Sequence, residues 1–234
     1  MDKHEVMRQL DAFGDAQIKK ILMAHGAREP LSGVRVGDLK KIQKRVKVDH
    51  HLALELFGTG HYDAMYLAGL IADDMRMTKK DLQSWSRTAY AGISEYTLPW
   101  VAAQGRFGWE MGLAWIASKK EPVSACGWMT LSCVVALTPD DSLDIKMLAS
   151  LLVRVGKEIH KAPNRVRAAM NNFMISVGTY VVPLSGKAVA AARAIGEISV
   201  DVGGTACKIP YAPEYIERVA KRGSIGKKRK TVKC

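Results

Sequence analysis

The chain has 234 residues, of which 48% are hydrophobic and 25% charged. That is enough for one domain with a substantial core, and ordinary for a globular protein. The net charge of +12 favours a polyanionic partner, nucleic acid first. The charged N-terminal stretch MDKHEVMRQLDAF reads as no signal peptide, and the uncharged stretches 122–139 and 168–186 fall short of a clean run of ~20 apolar residues, so both read as buried helices. Four scattered cysteines (126, 133, 207 and 234) suit reduced thiols better than a disulfide framework.

The periodicity is helical throughout. Helices are expected near 2–13 and 15–25, and Val36, Leu39, Ile42 and Val46 then step by three and four with Asp38, Lys40, Lys41 and Lys44 outside the stripe. Further helices are expected near 51–57 and over the apolar cluster Met65 to Ile71. Thr78 opens a capping box (TKKD) ahead of Leu82 and Trp85. The pattern continues near 94–103, 107–118, 123–137, 141–155, 164–181, 186–196 and 213–221, separated by short turn signals such as Gly58-Thr59-Gly60 and Ala162-Pro163-Asn164. Ile198 to Val202 is the best strand candidate, and Gly203-Gly204-Thr205 reads as a turn.

The segment from Val123 recurs loosely from Val166, an offset of 43 residues with matched small and apolar positions. A repeat of about 40–47 residues lies in the range of HEAT or armadillo helix pairs, which stack into a solenoid with a concave inner face. The expected organisation is therefore an all-α solenoid over 1–222. Residues 223–234 are expected to form a disordered basic tail. Seven Lys or Arg and no acid occur between Lys221 and Cys234, a run that by composition cannot bury itself. Its Lys227, Lys228, Arg229 and Lys230 are candidate phosphate contacts.

Other candidates lie on the helices. Arg165 and Arg167 at a helix mouth, with Asn164 as N-cap, could hold an anion together with the free amides there. Asn171 and Asn172 fall within a buried-looking helix, where unpartnered amides are costly; they either line a groove or bond neighbouring helices. Trp128 is the tryptophan expected on the concave face, able to lie flat against deoxyribose or bases. Glu95 sits in an uncharged neighbourhood, and either acts on a ligand or simply stabilises a helix start capped by Ser94. The cysteine and histidine spacings form no zinc pattern, and no Walker loop or nucleophile elbow occurs.

Together, LSGVRVGDLKKIQK (Leu31 to Lys44) and HLALELFGTGHYDAMYLAGLIADD (His51 to Asp74) resemble the AlkD-type DNA alkylation repair proteins, with similarity extending to about Gly196. The resemblance implies a HEAT-like solenoid whose basic concave face holds duplex DNA. It also implies a glycosylase removing cationic N3- or N7-alkylated purines without a deep base pocket. The family's catalytic carboxylate falls at Glu95 and its paired Trp at Ala91, with Tyr90 or Tyr96 as substitutes. The expected Arg falls near Cys126 or Gly127, and a second Trp near Asn171 or Asn172. Catalysis would reduce to one carboxylate beside the developing sugar cation, with Tyr96 or Trp128 as an aromatic wall. The competing readings are a non-catalytic DNA-binding scaffold on the same fold and a protein-interaction solenoid. The expected setting is a monomer on double-stranded DNA, cytoplasmic and nucleoid-associated, away from membranes and without cofactor or metal.

Overall fold

The structure is a computed structural model, and it describes residues 1–205 and 207–233; Ala206 and Cys234 lie outside the described residues. Among those described, the regular structure is helical: α1 Lys3–Ala12, α2 Ala16–Ala24, α3 Val36–Val46, α4 His50–Phe57, α5 Tyr62–Ile71, α6 Lys79–Thr88 and α7 Leu98–Gln104. There follow α8 Gly108–Trp115, α9 Glu121–Leu137, α10 Ile145–Glu158, α11 Asn164–Tyr180, α12 Ser185–Ile195 and α13 Ala212–Lys221. A π-helical turn, Ile93–Thr97, leads directly into α7. The strand candidate at 198–202 is irregular chain. No single helix among the described residues is long and apolar enough to cross a membrane.

The helices form two layers. α1, α4, α6, α8, α10 and α12 pack respectively on α3, α5, α7, α9, α11 and α13, and the second set also packs side by side in that order. This is the pairwise stacking expected of a HEAT-like repeat. α9 and α11 begin 43 residues apart, so the loose sequence repeat is a structural one. α9 is buried on nearly all sides and serves two cores. Cys126 and Cys133 face the N-terminal cluster, while Trp128, Leu131 and Val135 face the C-terminal one. Close approach of α8 and α9 requires Gly127, where an added Cβ would lie 2.6 Å from the Ile116 nitrogen.

Local signals act as their residue types dictate. Thr78 and Asp81 form the reciprocal capping box of α6. Gly203 and Gly204 take positive φ in the expected turn. Asn164 opens α11 with its side chain turned elsewhere, so it is not the N-cap. Ser94 is buried and its hydroxyl donates to the Ala91 carbonyl, so it caps nothing. Asp63, 1% exposed, accepts the amides of Ser32, Gly33 and Val34 and so fixes the loop before α3; Ser32 Oγ also meets His61 Nε2 at 3.1 Å.

The C-terminal segment departs from expectation. Residues 223–233 are seated as a strap across the C-terminal ends of four second-layer helices. The Gly226 amide donates to Thr179 O of α11, and the Arg229 amide to Ala136 O of α9, each at 2.8 Å. The Val232 amide and Thr231 hydroxyl both donate to Gln104 Oε1 at the end of α7, and Lys233 Nζ reaches Ala72 O just past α5. Composition argued for disorder because a basic run has no core of its own. Helix C-termini supply what it lacks: orphan carbonyls and the negative end of the dipole.

Candidate nucleic-acid interface

The sequence candidates fall on two edges of the second layer. At the edge where α11 begins, Glu95 projects from the π-turn, which follows Ala91 in the left-handed region (φ 44°). Strain of that kind concentrates at functional sites. Glu95 is largely buried, and its Oε1 lies 3.5 Å from Arg165 Nη1. Burial holds its carboxyl above the usual carboxylate range, with the Arg165 guanidinium opposing the rise. Arg165 Nη2 in turn donates to His25 O at 2.8 Å, and the Arg165 amide donates to Glu121 Oε1 at 2.7 Å.

The anion site read at the mouth of α11 is therefore already filled from within. Glu121 supplies the negative group at the helix N-terminus, and Arg165 answers Glu95 and a carbonyl. Arg167 is also turned inward, donating to Ser199 O at 2.6 Å and Ala162 O at 3.0 Å. Arg167 belongs to a clasp around the 196–211 connection. Asn164 exchanges two hydrogen bonds with the Asp201 backbone, and Asn171 Nδ2 donates to Pro210 O. Gly203 lies against Ala24 O, and Cys207 Sγ is 3.9 Å from His25 Nε2, so this connection reaches back to the end of α2. Asn171 thus bonds a neighbouring segment, and it also lines a groove of about 380 Å³ between α11 and that connection.

Trp128 also departs from expectation. It is 0% exposed, packed edge-on against Phe173 at 5.1 Å, and cannot meet DNA. A helix apolar on every face hides its tryptophan as readily as it displays one. Cys126 is likewise 0% exposed, and Gly127 carries no side chain to the interface, so neither position offers the cation a glycosylase would need. Tyr96 does remain accessible, 46% exposed, its ring centroid 6.0 Å from that of Trp100. Burial, then Glu95, raise its hydroxyl pKa.

The opposite edge presents cations outward. The strap divides its own charges. Lys228 binds Asp140 at 2.8 Å and Val135 O, and Lys233 binds Asp74 at 2.7 Å. Lys227, Arg229 and Lys230 have no side-chain partner among the described residues and are exposed. Arg229 and Lys230 border a groove of about 680 Å³ that also meets Gln43 and Val48. Those two residues are shared with an adjoining recess of about 440 Å³ bordered by Lys40, Lys44 and Lys47 of α3 and its C-cap. Within α3, Lys41 and Arg45 are taken up by Asp38 and Glu5, leaving Lys40 and Lys44 unpaired among the described residues. Residues 182 to 190 positions apart thereby form one cationic track, which no local motif announces.

Asn172 falls between the edges, half-buried, its Nδ2 bonded among the described residues only to Met129 Sδ at 3.5 Å.

Comparison with known proteins follows this geometry. Residues 6–101 match a family model described as DNA alkylation repair enzyme. Uncharacterized proteins of Listeria innocua and Listeria monocytogenes are each 30% identical over 220 residues, covering 92% of this chain and 95% of theirs. A solved structure is 36% identical, covers 100% of both chains and superposes with a TM-score of 0.90. It is described as a new family of proteins related to the HEAT-like repeat DNA glycosylases with affinity for branched DNA structures. Two-layer helical stacking, a 43-residue repeat and these likenesses together place the chain in the AlkD-type DNA alkylation repair family, on the HEAT-like fold of its glycosylases.

Proposed function

We propose that this protein binds DNA through the cationic track of α3 and the strap, prefers branched DNA to straight duplex, and excises no base. The observation that carries the binding is the set of cations Lys40, Lys44, Lys47, Arg229 and Lys230, unpartnered among the described residues, around a groove and the recess adjoining it; Asp73 and Asp74 also line the groove, and Asp74 is paired with Lys233. Cations without protein partners are free to neutralise phosphates, and each phosphate contact releases counterions. The preference for branches is taken from the similar solved protein with affinity for branched DNA structures.

The absence of chemistry rests on Glu95. A carboxylate that stabilises a sugar cation must face the substrate with its charge uncompensated. Here the Arg165 guanidinium already occupies that role at 3.5 Å. The position corresponding to the family's Arg carries buried Cys126 or Gly127, and that of the second Trp carries Asn171 or Asn172, so neither a cation nor an indole is supplied.

Two measurements test the reading. Anisotropy titrations across salt should give a tighter Kd for a four-way junction than for a duplex of the same sequence. Substituting Gln for Lys40, Lys44 and Lys47 together should flatten the log–log salt slope by up to about 2.7, at ~0.9 per phosphate contact. Release of 7-methylguanine from duplex DNA should match spontaneous depurination. Release well above that rate, abolished by Glu95→Gln, would establish a glycosylase instead.

A further inference from the structure

Between α7, α9, α11 and the strap lies a cavity of about 240 Å³ that the groove account leaves unused. We infer that it receives one unpaired nucleobase of bound DNA, held by Thr179 and Asn172, with the adjoining phosphate on Arg229. This rests on the DNA-binding reading and specifies what a branch offers that a duplex does not.

Four observations converge there. Thr179 is 5% exposed, lines the cavity, and its Oγ1 has no hydrogen-bond partner among the described residues. A buried hydroxyl left unpaired is costly and asks for an explanation. Asn172 lines the same space and spends only one donor, on a sulfur at 3.5 Å, so its carbonyl and second N–H stay available. A donor and an acceptor side by side match the edge of a base. Tyr180 and Tyr215 are wall residues, and Tyr215 is 42% exposed, which leaves an aromatic face at the opening. Bases stack on such faces whatever their identity.

Arg229 is the fourth. Its amide is pinned to Ala136 O while its guanidinium has no partner among the described residues, and it borders both this cavity and the groove. A cation so placed joins the phosphate track to the cavity. Size favours a base over a whole nucleotide, because pockets for drug-sized ligands run ~300–1,000 Å³. Sugar and phosphate would stay outside, where Arg229 is. The Cys133 thiol in the wall is pushed up to about 12 by burial, so it stays a neutral wall group near pH 7. Filling the cavity from a duplex would cost unpairing and unstacking, whereas an unpaired base at a branch has little to lose.

The test uses the full chain and three-way junctions that differ only in one unpaired 2-aminopurine at the branch. The expected result is about tenfold tighter binding of the junction with the unpaired base, the scale of one stacked base, with a change in 2-aminopurine emission on binding. Thr179→Val and Asn172→Leu should each shrink that difference toward unity, with thermal melting confirming that they fold. Ser176→Phe, which fills the cavity from its half-buried wall, serves if either variant unfolds. Equal affinity for both junctions with unchanged emission overturns the inference and leaves DNA binding intact. A full preference retained by any folded cavity variant overturns it too. Failure of the wild-type protein to bind either junction overturns both the inference and the function it rests on.

Discussion

The two edges of the second helix layer handle arginine and lysine in opposite ways. At the edge carrying the N-terminal end of α11, Arg165 and Arg167 turn inward to Glu95 and four backbone carbonyls. At the edge carrying the C-terminal ends, the strap sends Lys228 and Lys233 inward and leaves Lys227, Arg229 and Lys230 in solvent. A cation at a helix N-terminus opposes the dipole and persists only with partners of its own. At helix C-termini the dipole itself welcomes cations, so two lysines hold the strap and the others remain free. Charge alone therefore does not mark a nucleic-acid surface; unpartnered charge does.

The contrast breaks most visibly on removing residues 223–234. The deletion exposes the site of Val232, 6% exposed, and strips Asp74 of its lysine; burial already raises the Asp74 carboxyl. Taking one partner from a buried pair costs about 3–5 kcal/mol, and chemical denaturation should show a loss at or above the lower figure. A disordered tail would lower DNA affinity with no change in stability.

Next in size is Arg165→Gln, which leaves a largely buried Glu95 without its cation. The expected loss is about 1–3 kcal/mol, the cost of stranding buried polar groups, with the salt slope of DNA binding unchanged. A weaker slope with unchanged stability would move Arg165 into the DNA track.

Two neighbouring residues sharpen the comparison further. Lys228→Gln should lower the melting temperature by a few degrees, at roughly 2–4 °C per kcal/mol for a chain of this size, and affect DNA little. Arg229→Gln should do the reverse, reducing the salt slope by about 0.9. Matching effects from both would erase the division of labour along the strap.

The smallest effect is a pH dependence at the loop before α3. Burial holds His61 below its ordinary 6.5, with Asp63 opposing the shift. Below that pH the unfolded chain binds more protons than the folded one, so stability is full above about 6.5 and falls as pH drops toward the depressed value. His61→Gln should flatten the stability profile between pH 7 and 5; an unaltered profile would assign the slope to other groups.

The helices were readable because their causes are local. The 3-and-4 spacing of Leu39, Ile42 and Val46, the Thr78 capping box and the 43-residue offset of α9 and α11 all appear within a window of the sequence. The interface was far less readable. Lys228 and Lys227 are adjacent and chemically identical, and only the Val135 carbonyl and Asp140, 93 and 88 residues away, decide which turns inward. Trp128 misled for a related reason: a helix apolar all round gives no period to say which face is shared with a neighbour. Asn171 and Asn172 are consecutive amides on one helix. One is spent on Pro210 and the other faces the cavity, a split set by a return segment nearly forty residues on.

The strap also changes what kind of cooperative system the molecule is. Stacked repeats touch only their neighbours, so such arrays can lose units one at a time from an end. Here one segment, in the space of eight residues, touches α11, α9, α7 and the end of α5 in turn. The C-terminal pair α12 and α13, to which the strap is joined, cannot peel away with it without releasing the braces on four others. From α5 onward, an array that would otherwise fray is made to unfold as one.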